Sequence, residues 1–99
     1  MLVFVCSPYR GKIQKNIANA ISYCEMEMAM GNTPFAPHLY MPQFTSDDDM
    51  GIYHGLEFLQ RCDQLHVWSD TITVGMKIEI DAAEAAGIPV VYMEVDNAE

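Results

Sequence analysis

Apolar positions fall along the chain in two rhythms. Leu2-Val3-Phe4-Val5-Cys6 is an unbroken apolar run of β-formers, the pattern of a strand covered on both faces in a parallel sheet. From Lys12 to Met30 the repeat becomes helical, with Ile13, Ile17, Ala20, Ile21, Cys24 and Met28 on one stripe, and Gly31-Asn32 stops it. Residues Thr33 to Tyr40 hold a second short strand around Pro34-Phe35-Ala36, limited by Pro34 and Pro37. Met41 to Met50 reads as a loop, and Gly51 to Arg61 as a short helix with Ile52, Leu56 and Leu59 inward. Gln64 to Trp68 alternates polar and apolar residues, which predicts a third strand over Leu65 to Trp68. A third helix is expected over Gly75 to Ala86, stopped by Gly87, then a fourth strand over Ile88 to Met93. The acidic tail, Glu94 to Glu99, is expected to fray.

Strands and helices therefore alternate with short connections. That order predicts an α/β chain: a small three-layer α/β/α, Rossmann-like (flavodoxin-like) fold with a four-stranded, mainly parallel sheet. Residues 1–99 are expected to form one domain. In such a sheet the ligand crevice lies beyond the strand carboxyl ends, here the loops 7–11, 37–50 and 69–75.

Charge narrows the partners. The chain of 99 residues carries a net charge of −9, which argues against nucleic-acid polymers and anionic membranes. A small anion held by one arginine and backbone amides stays open. No apolar run approaches the roughly 18 residues of a membrane span. Cys6, Cys24 and Cys62 show no Cys-x-x-Cys pairing, and with no signal peptide they suggest a reducing, cytoplasmic setting. His38, His54 and His66 are not spaced as metal ligands, and neither a metal nor a cofactor is expected. Asp47-Asp48-Asp49 suits helix capping or solvation better than cation binding. Met26, Met28 and Met30 spread apolar surface around the first helix, which suggests a homo-oligomer, dimer or higher.

The candidate chemistry gathers at the crevice loops. Glu79 follows a strand, a polar loop and Gly75 at a helix start, where a carboxylate can act as nucleophile or base. The bland alternative is a solvated glutamate favoured by the helix dipole. Ser7-Pro8-Tyr9-Arg10-Gly11 follows a buried strand and opens a helix, so its amides and Arg10 can cradle an anion. His38 and Tyr40 can stack on or hydrogen-bond a base, or simply pack their own loop. Asp70 can meet a ribose hydroxyl or remain solvated. Trp68 reads as core and Asp63 as a turn residue.

Two stretches together resemble the nucleoside 2-deoxyribosyltransferase family, and within it the deoxynucleoside monophosphate N-glycosidases. Cys6-Ser7-Pro8-Tyr9-Arg10-Gly11 is similar to the family's Cys-Gly-Ser-Ile-Arg-Gly type loop. Phe58-Leu59-Gln60-Arg61-Cys62-Asp63 then leads without a gap into Thr73-Val74-Gly75-Met76-Lys77-Ile78-Glu79, similar to Ser-x-Gly-x-x-x-Glu. The resemblance covers most of the chain, and small phage-type proteins of this kind are the nearest in layout. It implies Glu79 as nucleophile, and Arg10 and Thr73 as contacts to a 5′-phosphate. Two departures stand out. The family's strand-one tyrosine, which orients the nucleophile, is Phe4 here, and the aspartate that serves the leaving base is Gly55. Tyr9 offers a replacement hydroxyl from the loop.

Three functions follow as expectations. The first is hydrolysis or deoxyribosyl transfer at a nucleoside or nucleotide N-glycosidic bond. The second is a non-catalytic protein that sequesters a nucleotide or an ADP-ribose-type signal in the same crevice. The third is a structural phage or host protein with a vestigial pocket.

Overall fold

The computed structural model describes residues 1–95. They form β1 (Leu2–Cys6), α1 (Ile13–Ala29), β2 (Thr33–Phe35), α2 (Pro37–Tyr40), a 3-10 turn (Met41–Gln43), α3 (Asp48–Leu59), β3 (Gln64–Val67), α4 (Val74–Ala85) and β4 (Val90–Tyr92). The strands lie in the order β2-β1-β3-β4, and every neighbouring pair is parallel. This is an α/β, flavodoxin-like arrangement.

The apolar run that opens the chain lies inside the sheet, with Val3 to Cys6 fully buried. Period-two alternation sorts its side chains between two layers. Phe4, Cys6, Leu65 and Val67 pack with Leu59 and Cys62 and with Met76, Ile80 and Ala83 of α4. Val5 and Trp68 pack on the other side with Tyr23 and Cys24 of α1. Strand order reverses between β1 and β3, so their carboxyl ends diverge and leave a crevice.

The inner face of α1 differs from the expected stripe. Ile21 is 46% exposed and Met28 66%, whereas Glu27 is wholly buried. The reason lies across the sheet: the period-two alternation puts Gln64, His66 and Trp68 on one face of β3, and the last two turn polar groups toward α1. The Glu27 carboxylate accepts from Trp68 Nε1 at 2.8 Å and Asn32 Nδ2 at 2.9 Å, and meets His66 Nδ1 at 2.6 Å. His66 Nε2 in turn meets Gln64 Oε1 at 2.8 Å. A buried carboxylate with three such partners is tolerated where a bare one is not. Trp68 is core, as expected, but also a hydrogen-bond donor.

The stretch 41–50 is more ordered than a loop. It contains the 3-10 turn, and α3 already starts at Asp48. Asp47 caps that helix, accepting from the amides of Asp49 at 2.9 Å and Met50 at 3.2 Å. The strand β2 ends at Phe35 rather than Ala36, and β4 is shorter than Ile88 to Met93. Asp63 holds the chain turn before β3, its carboxylate accepting from the Leu2 amide at 2.7 Å. Of the tail, residues 96–99 lie outside the described residues.

Candidate active site

A cavity of about 430 Å³ opens beside the carboxyl end of β1, on the α3–α4 side of the sheet. Tyr9, Arg10, His38, Thr73, Gly75 and Glu79 all line it, within the size range of small-molecule sites. The loop after β1 brings Tyr9 over His38, their rings stacked at 4.8 Å. His38 Nε2 lies 2.7 Å from the Ser7 carbonyl. A carbonyl only accepts, so Nε2 carries the hydrogen and the lone pair sits on Nδ1. Burial lowers the His38 pKa against the opposing pull of the Ser7 carbonyl and Asp48, so the ring is neutral at pH 7.

Glu79 is 2% exposed, on the inward face of α4 with Met76, Ile80 and Ala83. Burial pushes its pKa up to about 8, and the Cys6 thiol beside it opposes the rise. The same burial, with the Glu79 charge, drives the Cys6 thiol far above its ordinary range, so it stays protonated. Glu79 Oε1 has no hydrogen-bond partner among the described residues. Phe4, on β1 beside Cys6 in the same packed layer, is fully buried and packs on Phe35 at 5.8 Å between centroids. It has no hydroxyl to offer.

Arg10 is already engaged. Its Nε and Nη2 donate to the two Asp48 oxygens at 2.6 and 2.5 Å, a bidentate fork. The Arg10 guanidinium holds the Asp48 carboxyl below the usual carboxylate range. Both side chains are about half exposed, so water and salt weaken the pair. Thr73 is the N-cap of α4, its hydroxyl accepting from the Met76 amide at 3.2 Å. Gly75 faces α3, where an added Cβ would lie 3.5 Å from Ile52 Cδ1, an ordinary contact.

Not every expected site residue joins them. Ser7 and Asp70 line a separate cavity of about 260 Å³ on the α1 side. Gly11 lines neither cavity, and its φ of +98° marks a turn that glycine favours. Tyr40 does not reach the main cavity either, because it packs edge-on against Phe35, Phe44 and Phe58. Gly55 is buried, and an added Cβ would meet Pro37 Cβ at 3.5 Å. The residue that sequence reasoning missed is Asp48, the carboxylate that occupies Arg10. The signal was present, since an acidic triplet in a crevice loop is a natural counterion for an arginine in the facing loop.

Among the described residues, no group of three or more His, Cys, Asp and Glu is disposed to hold a metal ion. No helix there is long and apolar enough to cross a membrane.

Comparison with known proteins adds two findings. Residues 1–93 match the family described as Domain of unknown function (DUF7768), and the chain belongs to that family. Among solved structures, the chain is similar to a 2-deoxyribosyltransferase from the psychrotolerant bacterium Bacillus psychrosaccharolyticus. The two are 19% identical with a TM-score of 0.74, over 100% of this chain and 75% of that one, a likeness of fold. No curated protein matches the chain by sequence.

Proposed function

We propose that this member of the DUF7768 family acts on the N-glycosidic bond of a nucleoside, with Glu79 as nucleophile. One observation carries the reading: a buried carboxylate on the wall of a ligand-sized cavity, with one oxygen unpartnered. A structural carboxylate in such a place is normally satisfied, as Glu27 is. The fold shared with a 2-deoxyribosyltransferase supports the same assignment.

In this reading the ionised Glu79 attacks the anomeric carbon. The C–N bond breaks, its electron pair leaves with the base, and the base takes a proton. Water or a second base then opens the glycosyl ester. Tyr9, over His38 at the cavity wall, is the hydroxyl assigned to the base, either donating the proton directly or fixing the ring. Thr73 and Gly75 present the start of α4 to the sugar. An uncharged nucleoside leaves the Arg10–Asp48 fork intact, whereas a 5′-phosphate on Arg10 has to displace Asp48. We take the setting of this chemistry to be a reducing cytoplasm, a reading that the three free cysteines support.

A second reading is a binding protein that holds a nucleotide or an ADP-ribose-type signal unchanged. It rests on the high pKa of Glu79, which keeps most molecules protonated at pH 7, and on Phe4 and Gly55. Incubation with a panel of nucleosides, nucleotides and dinucleotides separates the two. Free base, lost in Glu79→Ala, supports the enzyme. Intact ligand recovered on denaturation, with no free base after long incubation, supports the binder.

A further inference from the structure

The smaller cavity lies across the sheet crest from Glu79, between the loop after β1, the first turns of α1 and the loop before α4. We infer that it is a second ligand site, one that takes a phosphate group through Ser7, Lys12, Lys15 and the uncapped head of α1. At about 260 Å³ it is smaller than the main cavity and fits a compact oxyanion better than a nucleoside.

Three independent features meet there. The first is a buried donor without a partner. Ser7 continues the alternation of β1 onto the α1 side, is 1% exposed, and lines this cavity. Its hydroxyl has no hydrogen-bond partner among the described residues. An unsatisfied buried hydroxyl is costly, and an incoming acceptor would recover that cost. The second is the head of a 17-residue helix that no side chain caps among the described residues and that has no acidic residue in its first turn. Asn16 does not cap it, because its amide donates to the Tyr9 and Arg10 carbonyls. The amides at that helix start carry the positive end of the dipole.

The third is charge. Lys12 and Lys15 are two of five basic residues in a chain of net charge −9, and both border this cavity. Among the described residues, Asp70 is the one carboxylate on its wall, and it accepts from the Thr71 hydroxyl at 3.3 Å. The Ser69 oxygen accepts from the Thr71 amide at 3.0 Å, which leaves its hydrogen to donate. The main cavity has the opposite balance, with Asp47, Asp48 and Asp49 around the single guanidinium of Arg10. A dianion is therefore favoured at the head of α1 and opposed beside Glu79.

The test is a titration of the whole chain with inorganic phosphate at constant ionic strength, followed by amide NMR. The expected result is saturable shifts at Ile13 to Lys15 and Ser69 to Thr71. A Lys12→Glu, Lys15→Glu double variant should weaken binding by about tenfold or more. Both lysines are exposed, so folding is not at stake, and Ser7→Ala checks the buried donor by a smaller loss. Arg10→Ala should leave phosphate affinity unchanged. A parallel titration with a nucleoside 5′-monophosphate should shift the same head-of-α1 amides. The inference is overturned if shifts are confined to residues 9–10 and 73–75, if Arg10→Ala abolishes them, or if no saturable shift appears. None of these outcomes depends on nucleoside turnover, so the glycosidic reading stands or falls separately.

Discussion

Arg10 and Asp48 form a bidentate ion pair across the mouth of the main cavity, with Nε–Oδ2 at 2.6 Å and Nη2–Oδ1 at 2.5 Å. The arginine that resembles a phosphate ligand thus already holds an anion from its own chain. Asp48→Asn removes that charge and frees the fork. Calorimetry should then show nucleoside 5′-monophosphate affinity rising about three- to tenfold relative to the free nucleoside. An equal change for both ligands would show that the pair has no part in discriminating them.

Glu79 should impose a slope of stability with pH. Its folded pKa, about 8, lies above its ordinary value of 4.5. Between these values the folded state holds a proton that the unfolded state has lost. Stability from this group is therefore complete below pH 4.5 and declines as pH rises toward 8, by about 1.4 kcal/mol per unit. Denaturant titrations from pH 5 to 8.5 should show that decline in the wild type and a flatter profile in Glu79→Gln.

Turnover should run the other way. A nucleophile must be ionised, so free-base release should climb through about pH 8. Glu79→Gln should abolish turnover at every pH and leave nucleoside affinity within about threefold, since a nucleophile acts mainly in the transition state. Strong loss of binding with residual turnover would remove Glu79 from the chemistry.

Glu27 should matter more for stability than its place on a methionine-rich helix suggests. Glu27→Ala strips the acceptor from Trp68 Nε1 and from His66 Nδ1 in a fully buried site. The expected loss is about 3 kcal/mol or more, read by urea denaturation. The conservative Glu27→Gln should recover part of it, because its amide oxygen still accepts from the indole.

Met26 and Met28 on α1 and Met30 at its C-cap are 49%, 66% and 52% exposed. Apolar area in water is unfavourable by about 25 cal/mol per Å², and we expect self-association to cover it. Light scattering should give more than a monomer mass at high micromolar concentration. Met28→Glu should shift the population toward monomer.

How much of this was legible beforehand depends on whether an element is set by local pattern or by a neighbour. The unbroken apolar run from Leu2 to Cys6, the alternation over Gln64 to Trp68 and the helical repeats determined a parallel sheet and the order of its strands and the three longer helices, but not the short α2 over Pro37–Tyr40. Those signals are periodicities, and a periodicity needs no knowledge of what packs against it. Thr73, Gly75 and Glu79 line one cavity because all three lie at or near the start of a single helix.

What only the tertiary structure decided are the pairings across elements. The sequence pointed α1 by its most apolar stripe, yet Glu27 faces inward because His66 and Trp68 offer it hydrogen bonds 39 and 41 residues away. It assigned Arg10 to a ligand, yet Asp48 reaches it from the first turn of α3, 38 residues on. It grouped Ser7 and Asp70 with Glu79, but they line the smaller cavity, because alternation sends Ser7 to the α1 side. A strand fixes which face a side chain takes. Only the completed fold fixes what waits there, because the energy of a buried polar group is set by partners distant in sequence.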